Sequence, residues 1–494
     1  MRMSRLFGST LREAPAGAET PGYQLLLRAG YLRQLGQGIF SYLPLGWRVM
    51  RRVERVIREE MDAAGGVELS MPIVQPAELW KRSGRYDAIG AEMARFEDRR
   101  DRPLVLAMTH EEVVSSLAAS EIQSWRQLPK LVYQIQLKFR DDPRPRAGLI
   151  RAREFTMKDA YTLDRDEAGL DIQYNRLHKA YLSIFERCGL PVLPVGADVG
   201  IMGGSLAHEF MYLNPIGEDT IVICDACGAA QNRQVARSAK PAVAPEDPGP
   251  LERVRTPETP TIEALAEFLG VPKERTAKVV FLATSDGRFV VAVVRGDMQL
   301  NETKLANAVG AADLRPMTEK EVTSIGSVPG YASPIGLGER ATVVVDELVA
   351  ASPNLVAGAN EEGWHLLNVN VGRDFEPDVV ADLTAVDDGQ PCPACGAPLR
   401  LERGVEVGNI FKLGTRFSEA EGATYLGEDG KQRPIVMGCY GIGVGRLLAC
   451  VAEEHRDERG LRWPTDMAPF AAQICVLGDE ALGEAERATE ALDA

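Results

Sequence analysis

Between Gln134 and Tyr161 the chain reads QIQLKFRDDPRPRAGLIRAREFTMKDAY, and no other stretch limits the possible folds as much. Leu131–Phe139 is apolar and β-prone, and Leu149–Thr156 resumes after a loop holding Pro143, Pro145 and Gly148, which predicts an antiparallel hairpin. Arg140 stands at the end of an apolar strand, where a guanidinium without an anionic partner is costly. Phe155, two residues beyond Arg153, offers a flat face for a purine. An arginine for phosphate and an aromatic for a base are the minimum for holding a nucleotide. The alternative left open by charge pattern is a hairpin whose arginines pair with Asp141, Asp142 and Glu154 on its own surface.

The 494 residues are enough for about three domains, and no apolar run reaches the ~20 residues of a membrane span. The start, MRMSRLFGSTLREAP, has no export-type apolar core, so a cytoplasmic protein is expected. The net charge of −15 argues against a nucleic-acid binder, since such domains are usually basic, although local patches are what meet phosphates. No GxxxxGK[ST] phosphate loop occurs.

A helix is predicted from Trp47 to Ala64, where Val49, Val53, Val56, Ile57 and Met61 recur at helical spacing. Gly65 and Gly66 end it, and VELSMPIV follows as an edge strand containing Pro72. Leu104–Met108 reads as a strand running into Thr109, which is predicted to cap the next helix, with Glu112 closing a capping box. A further helix is expected over Glu167–Cys188, then the strand LPVLPVGA, then GIMGGSLAHEF. There Gly200, Gly203 and Gly204 permit close backbone approach, and Ser205 and His208 are candidate pocket residues.

From Glu218 to about Gly404 the composition changes. Pro241–Pro260 is a proline-rich linker, and the segment behind it has its own α/β pattern. That pattern comprises a helix over Thr261–Leu269, a hairpin turning at Asp286–Gly287, a helix from Asn301, and strands at Thr342–Val345 and His365–Val371. CDAC opens the region and CPAC closes it, so Cys224, Cys227, Cys392 and Cys395 offer two halves of a tetrahedral thiolate site for structural zinc; four independent reduced thiols are the alternative. The chain ends with Ala472–Val476, read as a strand, and Glu480–Leu492, read as a helix.

FRDD, the proline-rich loop and RAREFTMKDAY together resemble the second signature of class II aminoacyl-tRNA synthetases, in the version used by bacterial prolyl-tRNA synthetases. The Trp47 helix with its proline-containing strand resembles the first signature, and GCYGIGVGR resembles the third, with Gly445 where Ser or Thr is usual. The resemblance implies an α/β (α+β) host, an antiparallel sheet flanked by helices, interrupted by an inserted α/β editing domain and followed by an incomplete anticodon-binding domain. The expected boundaries are 1–223 and 404–465 for the two parts of the catalytic domain, 224–403 for the insertion and 466–494 for the last piece.

It further implies ATP-dependent activation of L-proline and transfer to tRNA(Pro), in a homodimer using Mg2+. Arg140 and Arg446 would serve catalysis, on the α- and γ-phosphates. Asp142, Arg151, Phe155 and Glu406 would join them around ATP, and Thr109, Glu111, Arg140, Ser205, His208 and Cys439 would hold proline. Asn409 stands where the family usually has His. In the insertion, Lys278, Gly330, Pro334, Asp346 and His365 match the pocket that hydrolyses alanyl-tRNA(Pro), which is needed because a proline site cannot exclude the smaller alanine sterically. A catalytically silent tRNA-binding or regulatory relative is the competing function, and a threonyl- or histidyl-type synthetase the competing enzyme.

Overall fold

A computed structural model describes residues 2–311 and 313–493. The chain forms two compact units, Met1–Val192 with Val407–Ala494, and Leu193–Glu406.

The first unit is built on the predicted hairpin. Lys130–Phe139 pairs antiparallel with Glu154–Asp164, in a register that sets Gln134 opposite Asp159 and Lys138 opposite Phe155. Val436–Gly443 lies antiparallel on the other side of Glu154–Asp164, with Cys439 opposite Tyr161, and residues 408–414 of the Arg400–Gly414 strand pair beyond it. The second hairpin strand starts at Glu154 rather than Leu149, because Gly148–Ile150 is a 3-10 turn with Ala147 and Gly148 at φ of +51° and +63°. A Cβ on Gly148 would lie 2.6 Å from the Tyr23 ring.

The helix expected from Trp47 runs Pro44–Ala63, with proline in its first turn, and its apolar stripe Val49, Val53, Val56, Ile57 and Met61 is fully buried. The strand after it shrinks to Val67–Glu68, which pairs parallel with Val132 and Tyr133; Pro72 lies outside any strand, and its carbonyl sits 3.0 Å from His110 Nε2. Helices Glu167–Arg187 and Val444–Glu454 cover the sheet. Gly445 has a steric reason here, since a Cβ would stand 2.7 Å from the Tyr42 hydroxyl. The expected strand Ala472–Val476 does not form. Those residues are exposed and pair with no strand among the described residues, as a strand without neighbours leaves its backbone groups to water, while the helix that follows spans Leu482–Asp493.

In the second unit, Leu206–Leu213, Leu193–Ala197, Ala230–Asn232, Asp219–Ile223 and the beginning of Arg400–Gly414 form a sheet in that order. The inserted segment has a five-stranded sheet, Leu314–Pro316, Ala277–Thr284, Phe289–Arg295, Thr342–Asp346 and Val379–Ala381. Valines of its central strands fill a core on either face. A smaller sheet joins Glu252–Arg255, Trp364–Val369 and Leu355–Gly358. The helix Ile262–Leu269 is capped by the Thr261 side chain and stops at Gly270 in the left-handed region. The helix Glu302–Val309 is capped by Asn301.

Candidate active site

The hairpin alternates, so residues of one parity share a face. On one face Asp159 is the centre of a buried polar cluster. Its Oδ1 accepts from Lys138 Nζ at 2.7 Å, and its Oδ2 accepts from Gln134 Nε2 and the Tyr161 hydroxyl, both at 2.8 Å. Burial pushes the Lys138 ammonium down from its ordinary value, with Asp159 opposing. His110 Nδ1 lies 3.8 Å from Asp159 Oδ2, and burial together with Lys138 pushes the imidazole down to about 4. None of these four partners was singled out from the sequence, although the polar alternation Gln134, Gln136, Lys138 within an apolar strand carried the signal.

Thr109 and Glu111 lie nearby but not as predicted. The helix is Glu111–Glu121, its N-cap is His110, and no side chain caps it, so the Thr109–Glu112 capping box is absent. Arg85 takes both residues instead. Its Nη1 donates to Thr109 Oγ1 at 3.1 Å, to Glu111 Oε2 at 3.3 Å, and to Glu112 Oε1 and Oε2 at 3.1 and 3.2 Å. The Cys439 thiol is buried, and burial and the Glu111 charge push it well above its ordinary value. Thr109, Glu111, Tyr161 and Cys439 are thereby brought close to one another.

Arg140 extends from the end of Lys130–Phe139, with Nη2 donating to the Met108 carbonyl at 3.3 Å and its guanidinium 5.4 Å from the centre of the Phe155 ring. The phosphate-type and base-type groups are therefore adjacent. Farther along the loop, Arg151 Nε donates to Asp142 Oδ2 at 2.6 Å and Arg153 Nε approaches Asp141 at 3.3 Å, so the surface pairing left open above holds for these two arginines. Asp142 titrates below the ordinary range; partial burial raises it, but the bonds from Arg151 and the Arg144 backbone prevail. Arg446, in the first turn of its helix, donates from Nε to the Ile150 carbonyl at 2.7 Å.

The remaining host residues belong to the second unit. Ser205 is exposed beside Leu206–Leu213, and His208 is half-buried on that strand opposite Gly196. Glu406 lies near Glu209, which burial and then the Glu406 charge push up to about 8; Asn232 Nδ2 donates to Glu209 at 3.0 Å.

Within the insertion, Lys278, Gly330 and His365 line one cavity of about 310 Å3, with Gln299, Thr261 and Ala277. Lys278 Nζ donates to Gln299 Oε1 at 3.0 Å. His365 Nδ1 is 2.6 Å from Thr256 Oγ1, its ring packs on Tyr331, and burial pushes it down to about 4. Pro334 and Asp346 are not among the residues lining the cavity. Asp346 is fully buried, accepts from Lys240 Nζ at 3.1 Å, and caps Glu347–Ala351 through a bond from the Leu348 amide. At the root of the insertion the four cysteine sulfurs lie within 4.8 Å of one another, with Cys224–Cys395 at 3.5 Å and Cys227–Cys392 at 3.8 Å.

Over its full length the chain is 60% identical, across 501 aligned residues, to the proline–tRNA ligase of Salinispora tropica, and spans 84% of that protein. This chain belongs to the proline–tRNA ligase family. The proline–tRNA ligase of Dehalococcoides mccartyi is 48% identical over 477 residues, covering 97% of this chain and 84% of its own. The aminoacyl-tRNA editing domain family matches residues 256–375 of this proline–tRNA ligase family member, the stretch that contains the Lys278 cavity. In fold it is similar to prolyl-tRNA synthetase from Cryptosporidium parvum, solved with L-proline and AMP, with a TM-score of 0.50 at 12% identity, over 94% of this chain and 59% of that one.

Proposed function

We propose that this chain activates L-proline with ATP, transfers it to tRNA(Pro), and hydrolyses mischarged alanyl-tRNA(Pro) on its inserted domain. The observation that carries the synthetic half is the grouping of Thr109, Glu111 and Cys439 in one unit with the adjacent Arg140 and Phe155. Glu111 and Thr109 take the secondary ammonium of proline, since a buried carboxylate gives it a charge-assisted hydrogen bond. The proline carboxylate then attacks the α-phosphorus, forming the acyl–phosphate bond as pyrophosphate leaves. Arg140 stabilises charge on the α-phosphate, Phe155 stacks on adenine beside Asp142 and Arg151, and Arg446 meets the γ-phosphate. In the second step a terminal ribose hydroxyl of the tRNA attacks the activated carbonyl and AMP leaves. No protein nucleophile is needed, so the enzyme contributes position and electrostatics.

The family resemblance gives Ser205 and His208 a proline-binding role as well. Mg2+ would supply charge neutralisation on the phosphates, and Glu406, whose charge already raises Glu209, is the residue that would hold it. In the editing pocket Lys278 and His365 position alanyl-tRNA against water, Gly330 shapes the wall, and Pro334 and Asp346 act through the scaffold. The four cysteines suit one structural Zn2+. Tetrahedral coordination with Zn–S bonds of about 2.3 Å sets sulfurs ~3.8 Å apart, close to the 3.5 and 3.8 Å observed. The reading also takes 1–223 and 404–465 as the catalytic domain, 224–403 as the editing insertion, 466–494 as the start of the anticodon domain, and the protein as a cytoplasmic homodimer. Pyrophosphate exchange measured across the amino acids tests it: exchange dependent on proline is expected, and exchange driven by another amino acid alone defeats it.

A further inference from the structure

The residue that Thr109, Glu111 and Glu112 share is one the sequence gives no reason to notice. Arg85 follows Gly84, which takes a φ of +74°, and opens the short helix Arg85–Ala88. Its side chain is 2% exposed. The guanidinium lies 4.8 Å from the Trp80 ring centre and 5.5 Å from that of Phe417, so flat aromatic surfaces set its plane. From that position Nη1 reaches Thr109, Glu111 and Glu112 together, and Ser83 Oγ steadies Glu112 Oε1 at 2.8 Å.

We propose that Arg85 is the positioning residue that fixes the Glu111 carboxylate and the Thr109 hydroxyl for the substrate's ammonium, and that Glu112 anchors Arg85 in that role. This rests on the reading of Glu111 as the ammonium-binding group. Two carboxylates on consecutive residues of one helix start, both buried, are tolerable only with a cation between them. Without it, like charges at short range in a dry site share one proton, which the pair holds more tightly than a lone carboxylate would. Glu112 already stands raised, by burial first, with Arg85 opposing and Glu111 adding. A Glu111 that shares a proton with Glu112 points at its neighbour and has lost the charge that an ammonium needs. The other charged or titratable groups whose fields reach this pair are His110 at the same helix start, Lys138 on Lys130–Phe139, Tyr161 on Glu154–Asp164, Cys439 on Val436–Gly443, and Arg416 on Arg416–Glu421.

The test is pyrophosphate exchange at pH 6 and pH 8.5, with KM for proline and for ATP measured separately. In the wild type the KM for proline changes less than about twofold across this range. In Arg85→Met it becomes about tenfold larger at pH 6 than at pH 8.5, one unit of displaced titration being a factor of ten, while KM for ATP stays within threefold. Arg85→Met/Glu112→Gln removes the shared proton and returns the pH ratio to below about two. A flat profile in Arg85→Met, or a double variant as pH-dependent as the single one, overturns the proposal. If Arg85→Met does not fold by circular dichroism, Arg85→Lys decides. Lysine keeps the charge but has a shorter reach and no flat group to lie against the Trp80 and Phe417 rings, so KM for proline should rise about fivefold with kcat preserved, and a KM within twofold of wild type overturns the proposal. Glu111→Gln is run alongside. If it leaves KM for proline unchanged, the ammonium-binding reading itself fails; if it raises KM while the Arg85 variants stay flat, only the Arg85 proposal fails.

Discussion

Asp159→Asn tests whether the cluster under the hairpin is an ion pair that the fold depends on. The carboxylate accepts three hydrogen bonds, from Lys138, Gln134 and Tyr161, at 2.7 to 2.8 Å, and Lys138 is fully buried. Substituting an amide removes the anion that Lys138 bonds at 2.7 Å and turns one acceptor atom into a donor that faces donors. Breaking a buried pair from one side costs about 3–5 kcal/mol, or roughly two to four powers of ten in the folded ratio. With a urea slope of about 3 kcal/mol/M, the unfolding midpoint should fall by about 1 M or more. The assay is urea unfolding followed by tryptophan fluorescence, with Trp80 and Trp125 reporting from the same unit. Adding Lys138→Met to Asp159→Asn removes the stranded ammonium, so the double variant should recover much of the loss. A single variant within about 0.3 M of wild type, or a double variant no better than the single, would refute the reasoning.

Arg140→Ala should abolish proline-dependent pyrophosphate exchange, a loss of several kcal/mol in transition-state stabilisation; wild-type-like exchange would remove Arg140 from the α-phosphate. Metal analysis of protein purified without chelator should give about one zinc per chain, and four freely titratable thiols in the native protein would argue for independent cysteines. Lys278→Ala and His365→Ala should leave proline activation intact and slow alanyl-tRNA hydrolysis; equal clearance by both variants would make these residues structural. Acidification supplies one more test. His110 and His365 are pushed from 6.5 down to about 4, so the stability each contributes is full above pH 6.5 and is lost as pH falls toward 4. His365→Gln should flatten that slope, which urea midpoints at pH 7, 5.5 and 4.5 would show.

What the sequence made legible was whatever depends on neighbours in the chain. The Pro44–Ala63 stripe, the helices beginning near Thr261 and Asn301 and the turn at Asp286–Gly287 are local patterns, and each forms in place. The class II signatures were readable for the same reason, since Arg140 and Phe155 sit on one hairpin. Arg85 escaped notice because its partners lie 24 to 27 residues away and are brought to it by packing against Trp80 and Phe417, which no periodicity encodes. The capping box failed for a related reason: Thr109 and Glu112 do have local chemistry available, but a buried guanidinium competes for both and wins. Asp346 illustrates the reverse case, a position matching a pocket motif whose side chain is taken up by Lys240 and a helix start. The strand expected at Ala472–Val476 needed a neighbour that residues 2–311 and 313–493 do not provide.

The root of the insertion has a consequence for engineering. Asp219–Ile223 and the start of Arg400–Gly414 run antiparallel with Ile223 directly opposite Arg400, so exit and re-entry are one strand spacing apart, about 5 Å. The Cys224 and Cys392 knuckles close just beyond that pair, each with the same amide-to-carbonyl turn and a glycine at φ of +74° or +76°. A gap of that width is what a short hairpin turn spans. Ala230–Asn232, however, lies inside the same sheet, between Leu193–Ala197 and Asp219–Ile223, so a deletion that spares the sheet has to begin after that strand. The Ala239 amide donates to the Pro391 carbonyl at 2.8 Å, and a tight turn there would remove the inserted segment while leaving all four cysteines and the sheet register in place.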